Sequence, residues 1–246
     1  MLGKVLICVP TYNESENICE VLNRLETAIT KLENLFDFTI LLIDDNSPDG
    51  TAEIVAEARF DHVEILSRGE KGGLGPAYLA GFAWGLERNF DLFIECDADG
   101  SHQPEELHRL LEAIDGSALV IGTRWMAGGK VINWPIHRRL ISRIGTKYAQ
   151  IALRLPYRDL TGGYRVLTRG CLESIRLETV ETIGYGFQIE IAMRTHDAGL
   201  SIVQVPITFI ERTRGQSKMS KKIVWEALMQ TTKWSFSRSQ RGIRTR

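Results

Sequence analysis

At 246 residues, 43% hydrophobic and 25% charged, the chain carries enough apolar material to bury a core without disulfides or structural metal. Its net charge of −1 excludes bulk attraction to a polyanion, and no window reaches the roughly 18 apolar residues that a membrane-spanning helix needs. Four scattered cysteines, Cys8, Cys19, Cys96 and Cys171, form no C-x-x-C pair and read as reduced thiols of a cytosolic protein.

The first 123 residues alternate short β-branched runs with helical patterns. Strands are predicted over Lys4–Val9, Phe38–Ile43, Val63–Leu66, Leu92–Glu95 and Ala118–Gly122. Helices are predicted over Ser15–Leu32, Thr51–Arg59, Leu74–Glu87 and Pro104–Ile114. Such alternation argues for an α/β fold with a mainly parallel central sheet flanked by helices. Ligands in these folds gather beyond the carboxyl ends of the strands. Polar motifs stand at those ends: Pro10 to Glu14, Asp44 to Gly50, Asp97 to His102 and Gly122 to Arg124, with a glycine loop at Lys71 to Gly75. Clusters at successive strand ends point to one pocket.

Beyond Arg124 the pattern changes. Ile136, Leu140, Ile144, Tyr148, Ile151 and Leu155 recur at helical spacing, bordered by Arg139, Arg143, Lys147 and Arg154. An apolar face edged by cations suits a helix lying on an anionic membrane surface, and equally a helix docked on the core with a basic rim. Residues 159–209 return to short elements, with a strand expected over Ser201–Val205. Ile223, Val224, Ala227, Leu228 and Trp234 suggest a second amphipathic helix. No Asp or Glu occurs between Gly116 and Arg158, where eight Lys and Arg residues fall, and a second basic stretch closes the chain. This segregation suggests either a local field for anionic ligands or a solvated basic face.

The sharpest chemical signal is Asp97-Ala98-Asp99. Two carboxylates at i and i+2 beyond a buried strand can turn toward one hard divalent cation, Mg²⁺ or Mn²⁺, which then bridges a nucleotide diphosphate. Ser101 could supply or position a third ligand. His102 has no Cys or second His at metal-site spacing and reads as a supporting residue. Asp44 and Asp45 either accept hydrogen bonds from a base or ribose, or serve the turn before the helix at Thr51. Glu14 faces a similar choice between nucleotide and helix start. The glycine loop lacks both the dinucleotide and the P-loop patterns. Arg124, Arg138, Arg212 and Lys218 are candidate phosphate clamps, the arginines as planar forks and the lysine as a point charge.

Taken in order, these motifs resemble the dolichol-phosphate or polyprenol-phosphate mannose synthases, within the inverting glycosyltransferase family 2 of GT-A fold. VPTYNESEN at Val9, DDNSPDGT at Asp44, KGGLGPAY at Lys71, DADGSHQPE at Asp97 and GTRW at Gly122 carry the general resemblance. NWPIHRR from Asn133, DLTGGYR from Asp159 and RTRGQSK from Arg212 are more specific to the polyprenyl-phosphate branch. The resemblance covers about residues 4–236 and implies one GT-A domain over 1–236. Its nucleotide-binding half would be 1–123 and its acceptor-binding half 124–236, with a basic tail over 237–246 expected to be disordered.

It further implies that Pro10, Tyr12, Glu14, Ile43, Asp44, Asp45, Asp97, Ala98, Arg212 and Lys218 bind the nucleotide sugar, GDP-mannose. Asp97, Asp99 and Ser101 would take Mg²⁺ or Mn²⁺, and Arg124, Arg138 and Arg212 the phosphate of a polyprenyl or dolichyl acceptor. Asp99, Arg124 and Arg138 stand at the reaction itself. The anionic acceptor phosphate needs no strong general base, so Asp159 and Glu190 are at most orienting residues. Relatives with C-terminal spans exist; this chain resembles the short form. It is expected to sit peripherally on the cytoplasmic face of a membrane, directly or through a membrane-protein partner. Few aromatics interleave with its cations, and no nucleic-acid recognition is expected.

Overall fold

Val5 to Val9 are all fully buried. A run apolar on both faces belongs in the middle of a parallel sheet covered on both sides. This run lies in β1 (Gly3–Thr11), which pairs in parallel with β2 (Phe36–Asp44) on one side and β4 (Leu92–Glu95) on the other. The computed structural model describes residues 3–184, 186–212 and 221–240. Its main sheet has seven strands in the order β3-β2-β1-β4-β7-β5-β8, with β3 at Val63–Ser67, β5 at Leu119–Thr123, β7 at Arg165–Thr168 and β8 at Ile202–Pro206. A small parallel pair joins β6 (Lys130–Ile132) to β9 (Thr208–Ile210).

Alternate side chains of β1 point to opposite faces and seed two cores. Leu6 and Cys8 pack with Tyr78 and Phe82 of α3 (Leu74–Glu87) and with Phe187 of α7 (Gly186–Asp197). Val5, Ile7 and Val9 pack with Ile18, Leu22 and Leu25 of α1 (Ile18–Thr30), Val55 of α2 (Thr51–Ala58) and Leu110 of α4 (Leu107–Glu112). The result is three layers, helices over both faces of the sheet. Helix α3 lies unusually close to the strands because a Cβ at Gly85 would stand 2.5 Å from Phe93 and 2.6 Å from Leu6.

Strand β7 is antiparallel to both neighbours, β4 and β5, so β5 again runs parallel to β4. The carboxyl ends of β1, β2, β4 and β5 therefore share one edge of the sheet. The segment entering β7, residues 159–164, arrives at that same edge. Polar motifs scattered over 120 residues of chain are gathered there by topology alone.

The sequence-predicted elements of the first half recur with ends shifted by a few residues. Helix α1 starts at Ile18 because Glu14 O closes a turn with the N–H groups of Asn17 and Ile18. The helix expected from Pro104 opens as a 3₁₀ turn over Pro104–Glu106 before α4. Helix α5 (Ile136–Leu153) is followed by β7, α6 (Arg169–Ser174) and α7, and α8 (Lys221–Gln240) extends four residues into the stretch expected as a tail. Residues 241–246 lie outside the described residues. Cys8, Cys96 and Cys171 are buried free thiols and Cys19 is half-buried. Burial pushes the Cys171 thiol up to about 11.

Helix α5 turns Thr146, Ala149 and Leu153 toward the core. The apolar stripe instead faces outward: Ile136 is 83% exposed, Ile144 58% and Ile151 67%, while Leu155 is buried beyond the helix end. Tyr148 bonds Thr232 of α8 at 2.5 Å between oxygens, and α8 adds exposed Trp225, Met229 and Phe236. Among the described residues no helix is long and apolar enough to cross a membrane.

Candidate active site

The carboxylate loop begins where β4 ends. Asp97 N–H donates to His102 Nδ1 at 3.0 Å, which leaves the ring proton on Nε2, 3.7 Å from Asp97 Oδ2. His102 is thus fully engaged with Asp97, and its ring stacks on Tyr164 at 4.9 Å. Asp99 Oδ1 accepts the Ser101 N–H at 2.9 Å, and Oδ2 pairs with Arg212 at 2.6 Å. Ser101 is buried and lines neither of the two cavities described below; its backbone braces Asp99 and accepts the Ile210 N–H. Behind the loop, Glu95 and Arg165 face each other across β4 and β7, both fully buried. Burial drives the Glu95 carboxyl up to about 7 against the pull of Arg165.

Three arginines converge on this loop. Arg124, following β5, forms a bidentate pair with Asp159, Nε to Oδ2 at 2.7 Å and Nη2 to Oδ1 at 2.8 Å. Asp159 also accepts the N–H groups of Arg124, Thr161 and Gly162. Burial pushes its carboxyl up, but the Arg124 charge and these hydrogen bonds outweigh that and hold it below the usual carboxylate range. Arg138, in the first turn of α5, pairs with Glu211, which directly follows β9. Its guanidinium lies 4.8 Å from the Trp134 ring centre, and that of Arg124 lies 5.3 Å from Trp134 and Phe209. Arg165 donates to the carbonyls of Leu160, Gly162 and Gln188, fixing the segment that carries Asp159.

Two cavities meet here. The first, about 120 Å³, is lined by Asp97, Asp99, Arg124, Arg138 and Arg212, with Trp134, Ile141, Phe209 and Leu228 as apolar walls. The second, about 270 Å³, is lined by Pro10, Glu14, Lys71, Gly73, Ala98 and Ile183. Asp97, Asp99 and Arg212 belong to both. The rim of the second cavity is drawn in where Gly75 N–H meets Ile183 O at 2.9 Å, and a Cβ at Gly75 would stand 2.1 Å from Thr182 O.

Other sequence-predicted residues build walls. The Asp45 carboxylate is taken by Arg68 at 2.7 Å and by the N–H groups of Gly72 and Gly73, so it folds the glycine loop. Asp44 accepts from Thr11 Oγ1 and twice from Ser47. The Ile43 side chain lies in the core against α3. Tyr12 is covered by the Lys71 ammonium, 3.7 Å from its ring centre. Glu190 bonds Thr182 and Arg194 and braces the 182 turn. Lys218 lies outside the described residues.

Sequence reasoning missed Glu211, Trp134 and Ser142 as parts of this site. Ser142 lines the first cavity four residues after Arg138, with a buried hydroxyl that has no partner among the described residues; the i, i+4 spacing was the available signal. The Trp134 indole N–H is likewise buried and unbonded.

The donor set suits a hard divalent cation. Asp97 and Asp99 offer only oxygens, leaving further positions to diphosphate and water, and the Arg212 guanidinium supplies positive charge at Asp99. Among the described residues no group of three or more His, Cys, Asp or Glu side chains forms a closed metal cage.

The model of glycosyl transferase family 2 matches residues 6–176. The chain is 46% identical over 245 residues to the undecaprenyl-phosphate mannosyltransferase of Micrococcus luteus, covering 99% of this chain and 98% of that protein. It is 45% identical over 235 residues to the polyprenol monophosphomannose synthase of Mycolicibacterium smegmatis, covering 94% and 86%. The fold is also that of glucosyl-3-phosphoglycerate synthase from Mycobacterium tuberculosis, solved with Mn²⁺, UDP-glucose and phosphoglyceric acid. That comparison has a TM-score of 0.70 at 19% identity and covers 99% of this chain and 81% of the other.

Proposed function

This chain belongs to glycosyl transferase family 2, and we infer that it is a mannosyltransferase acting on polyprenyl phosphate. It transfers mannose to a polyprenyl phosphate, as its relatives of 45–46% identity do. The donor is GDP-mannose. The observation that carries this reading is the junction of the two cavities at Asp97, Asp99 and Arg212, with Arg124, Arg138 and the walls of Trp134, Ile141, Phe209 and Leu228 on the first side. A nucleotide sugar fits the second cavity, and a lipid phosphate with its first isoprene units fits the first.

The acceptor phosphate, with a second pKa of about 6, is already largely anionic at neutral pH. Arg124 and Arg138 hold it, and the free Ser142 hydroxyl and Trp134 N–H stand ready as further donors. A phosphate oxygen forms the bond to the anomeric carbon while the bond from that carbon to the diphosphate oxygen breaks. The electron pair leaves with the nucleoside diphosphate, and the centre inverts. Asp97 and Asp99 would hold Mg²⁺ or Mn²⁺, which supplies charge stabilisation for the diphosphate; crystals of a similarly folded enzyme with Mn²⁺ and a nucleotide sugar support that choice. Arg212 reaches the same diphosphate from the other side. Holding two anions within reach of one another is the principal work of these arginines.

The expected donor result is a mannosyl-phosphoryl lipid from GDP-mannose with Mn²⁺. Transfer from UDP-glucose or UDP-N-acetylglucosamine alone would overturn the donor assignment, and no transfer from any donor would overturn the enzymatic reading. Arg138→Ala should raise the acceptor KM about 10- to 100-fold, the worth of a charged hydrogen bond, with the donor KM nearly unchanged. Equal rises in both would reassign Arg138.

The outward stripe of α5, with Trp225, Met229 and Phe236 beside it, supports peripheral contact with the membrane that holds the acceptor. Arg139, Arg143 and Lys147 give that contact a preference for anionic lipid. Each buried Ile side chain is worth about 1.5–3 kcal/mol. Ile144→Asp combined with Ile151→Asp should therefore cut co-sedimentation with anionic vesicles at least about tenfold, while transfer to a short water-soluble isoprenyl phosphate persists. Unchanged sedimentation would exclude this face.

A further inference from the structure

Two adjacent residues of opposite charge, Glu211 and Arg212, pair with side chains that line the cavities, Arg138 and Asp99. Arg212 sits on Asp99 at 2.6 Å, where a divalent cation is expected. Glu211 sits on Arg138, where the acceptor phosphate is expected. The backbone between them and the site is held by Ile210 N–H on Ser101 O and Glu211 N–H on Ile132 O. Both side chains are therefore aimed by the β6–β9 pair rather than by chance packing. The second carboxylate oxygen of Glu211 and the Nε of Arg138 are buried and have no partner among the described residues. A structural ion pair inside a protein normally satisfies such atoms. This pair leaves them open, as an occupant does that is meant to be exchanged.

We propose that Glu211 is an internal competitor at the acceptor clamp: an anion that occupies Arg138 until a phosphate displaces it. This rests on the reading of Arg138 as the acceptor-phosphate clamp. A bare phosphate ion must break the Glu211–Arg138 pair and gains only the polar contacts of the headgroup. An isoprenyl phosphate breaks the same pair but also buries its chain against Trp134, Ile141 and Leu228, which line the same cavity. The internal carboxylate weakens both phosphates by the same factor, so free phosphate falls below useful occupancy while the buried chain still carries the lipid phosphate in. The apparent affinity of any phosphate is reduced by the fraction of time the pair is open. A pair closed about nine-tenths of the time weakens binding about tenfold.

The test is calorimetric titration of the full chain, with Mn²⁺ and GDP present, using inorganic phosphate and separately a ten-carbon isoprenyl phosphate. Glu211→Gln should bind inorganic phosphate about tenfold more tightly than the unaltered protein, and inorganic phosphate should become an effective inhibitor of transfer. Glu211→Ala should show the same gain, so a local fault of either variant does not decide the outcome. Combining Glu211→Gln with Arg138→Gln should erase it. Equal inorganic-phosphate affinity in the unaltered protein and both single variants, with isoprenyl phosphate still bound, overturns the proposal and leaves the acceptor site standing. A gain that survives loss of Arg138 also overturns it. No binding of isoprenyl phosphate by any form overturns the acceptor-site reading and the proposal with it.

Discussion

Asp99→Asn should abolish metal-dependent transfer, lowering the rate by about a thousandfold or more, while the protein still melts cooperatively. The substitution keeps an oxygen for the Ser101 N–H, which holds the loop at 2.9 Å, and removes only the charge. What it removes is half of an all-oxygen pair that has no third acidic partner among the described residues. Loss of one preorganised electrostatic stabiliser costs about a hundred- to a thousandfold in rate, and loss of a cation adds several kcal/mol. Arg212 would lose its partner at Asp99, but it lines both cavities and can still meet the diphosphate. Mn²⁺ binding by electron paramagnetic resonance gives a readout independent of turnover. Unaltered Mn²⁺ affinity together with unaltered transfer would remove the metal from Asp99.

Arg124→Ala should cost about 3–5 kcal/mol of stability at neutral pH as well as nearly all transfer. Asp159 is fully buried, and its charge is tolerated because Arg124 grips both oxygens. Removing the guanidinium leaves a buried carboxylate held by neutral N–H and hydroxyl donors, with Arg165 as its remaining positive neighbour. The pH dependence reverses accordingly. In the unaltered protein the depressed Asp159 pKa contributes stability above the unfolded value of about 3.9, lost as pH falls through the lower folded value. In the variant, burial raises the folded pKa, so stability is kept below about 3.9 and lost as pH rises through the raised value. The stability deficit should therefore be larger at pH 8 than at pH 5 in urea unfolding. A deficit that does not change with pH would mean that Asp159 is not the group left uncompensated.

Much of the site could be read from strand-end motifs. Pro10, Glu14, Asp97, Ala98, Asp99, Arg124, Arg138 and Arg212 all line the paired cavities. Asp44 and Asp45 were harder. A carboxylate after a strand looks the same in sequence whether it meets a ribose or a neighbouring loop, and here Ser47, Arg68 and Gly72 satisfy them. Glu211 stood in the sequence only as the residue before Arg212, and its pairing with Arg138, 73 residues away, leaves no local signal.

By itself the sequence determined the layered α/β architecture and the carboxylates and arginine at its strand ends, since both follow from local alternation and from residue type. The tertiary structure alone decided that β7 runs against its neighbours, which brings Asp159 to Arg124, and that the apolar stripe of α5 faces outward. Periodicity reveals that a helix has an apolar face or that a strand exists. Which neighbour that face or strand meets is set by contacts between distant parts of the chain, and these leave no period in the residues themselves.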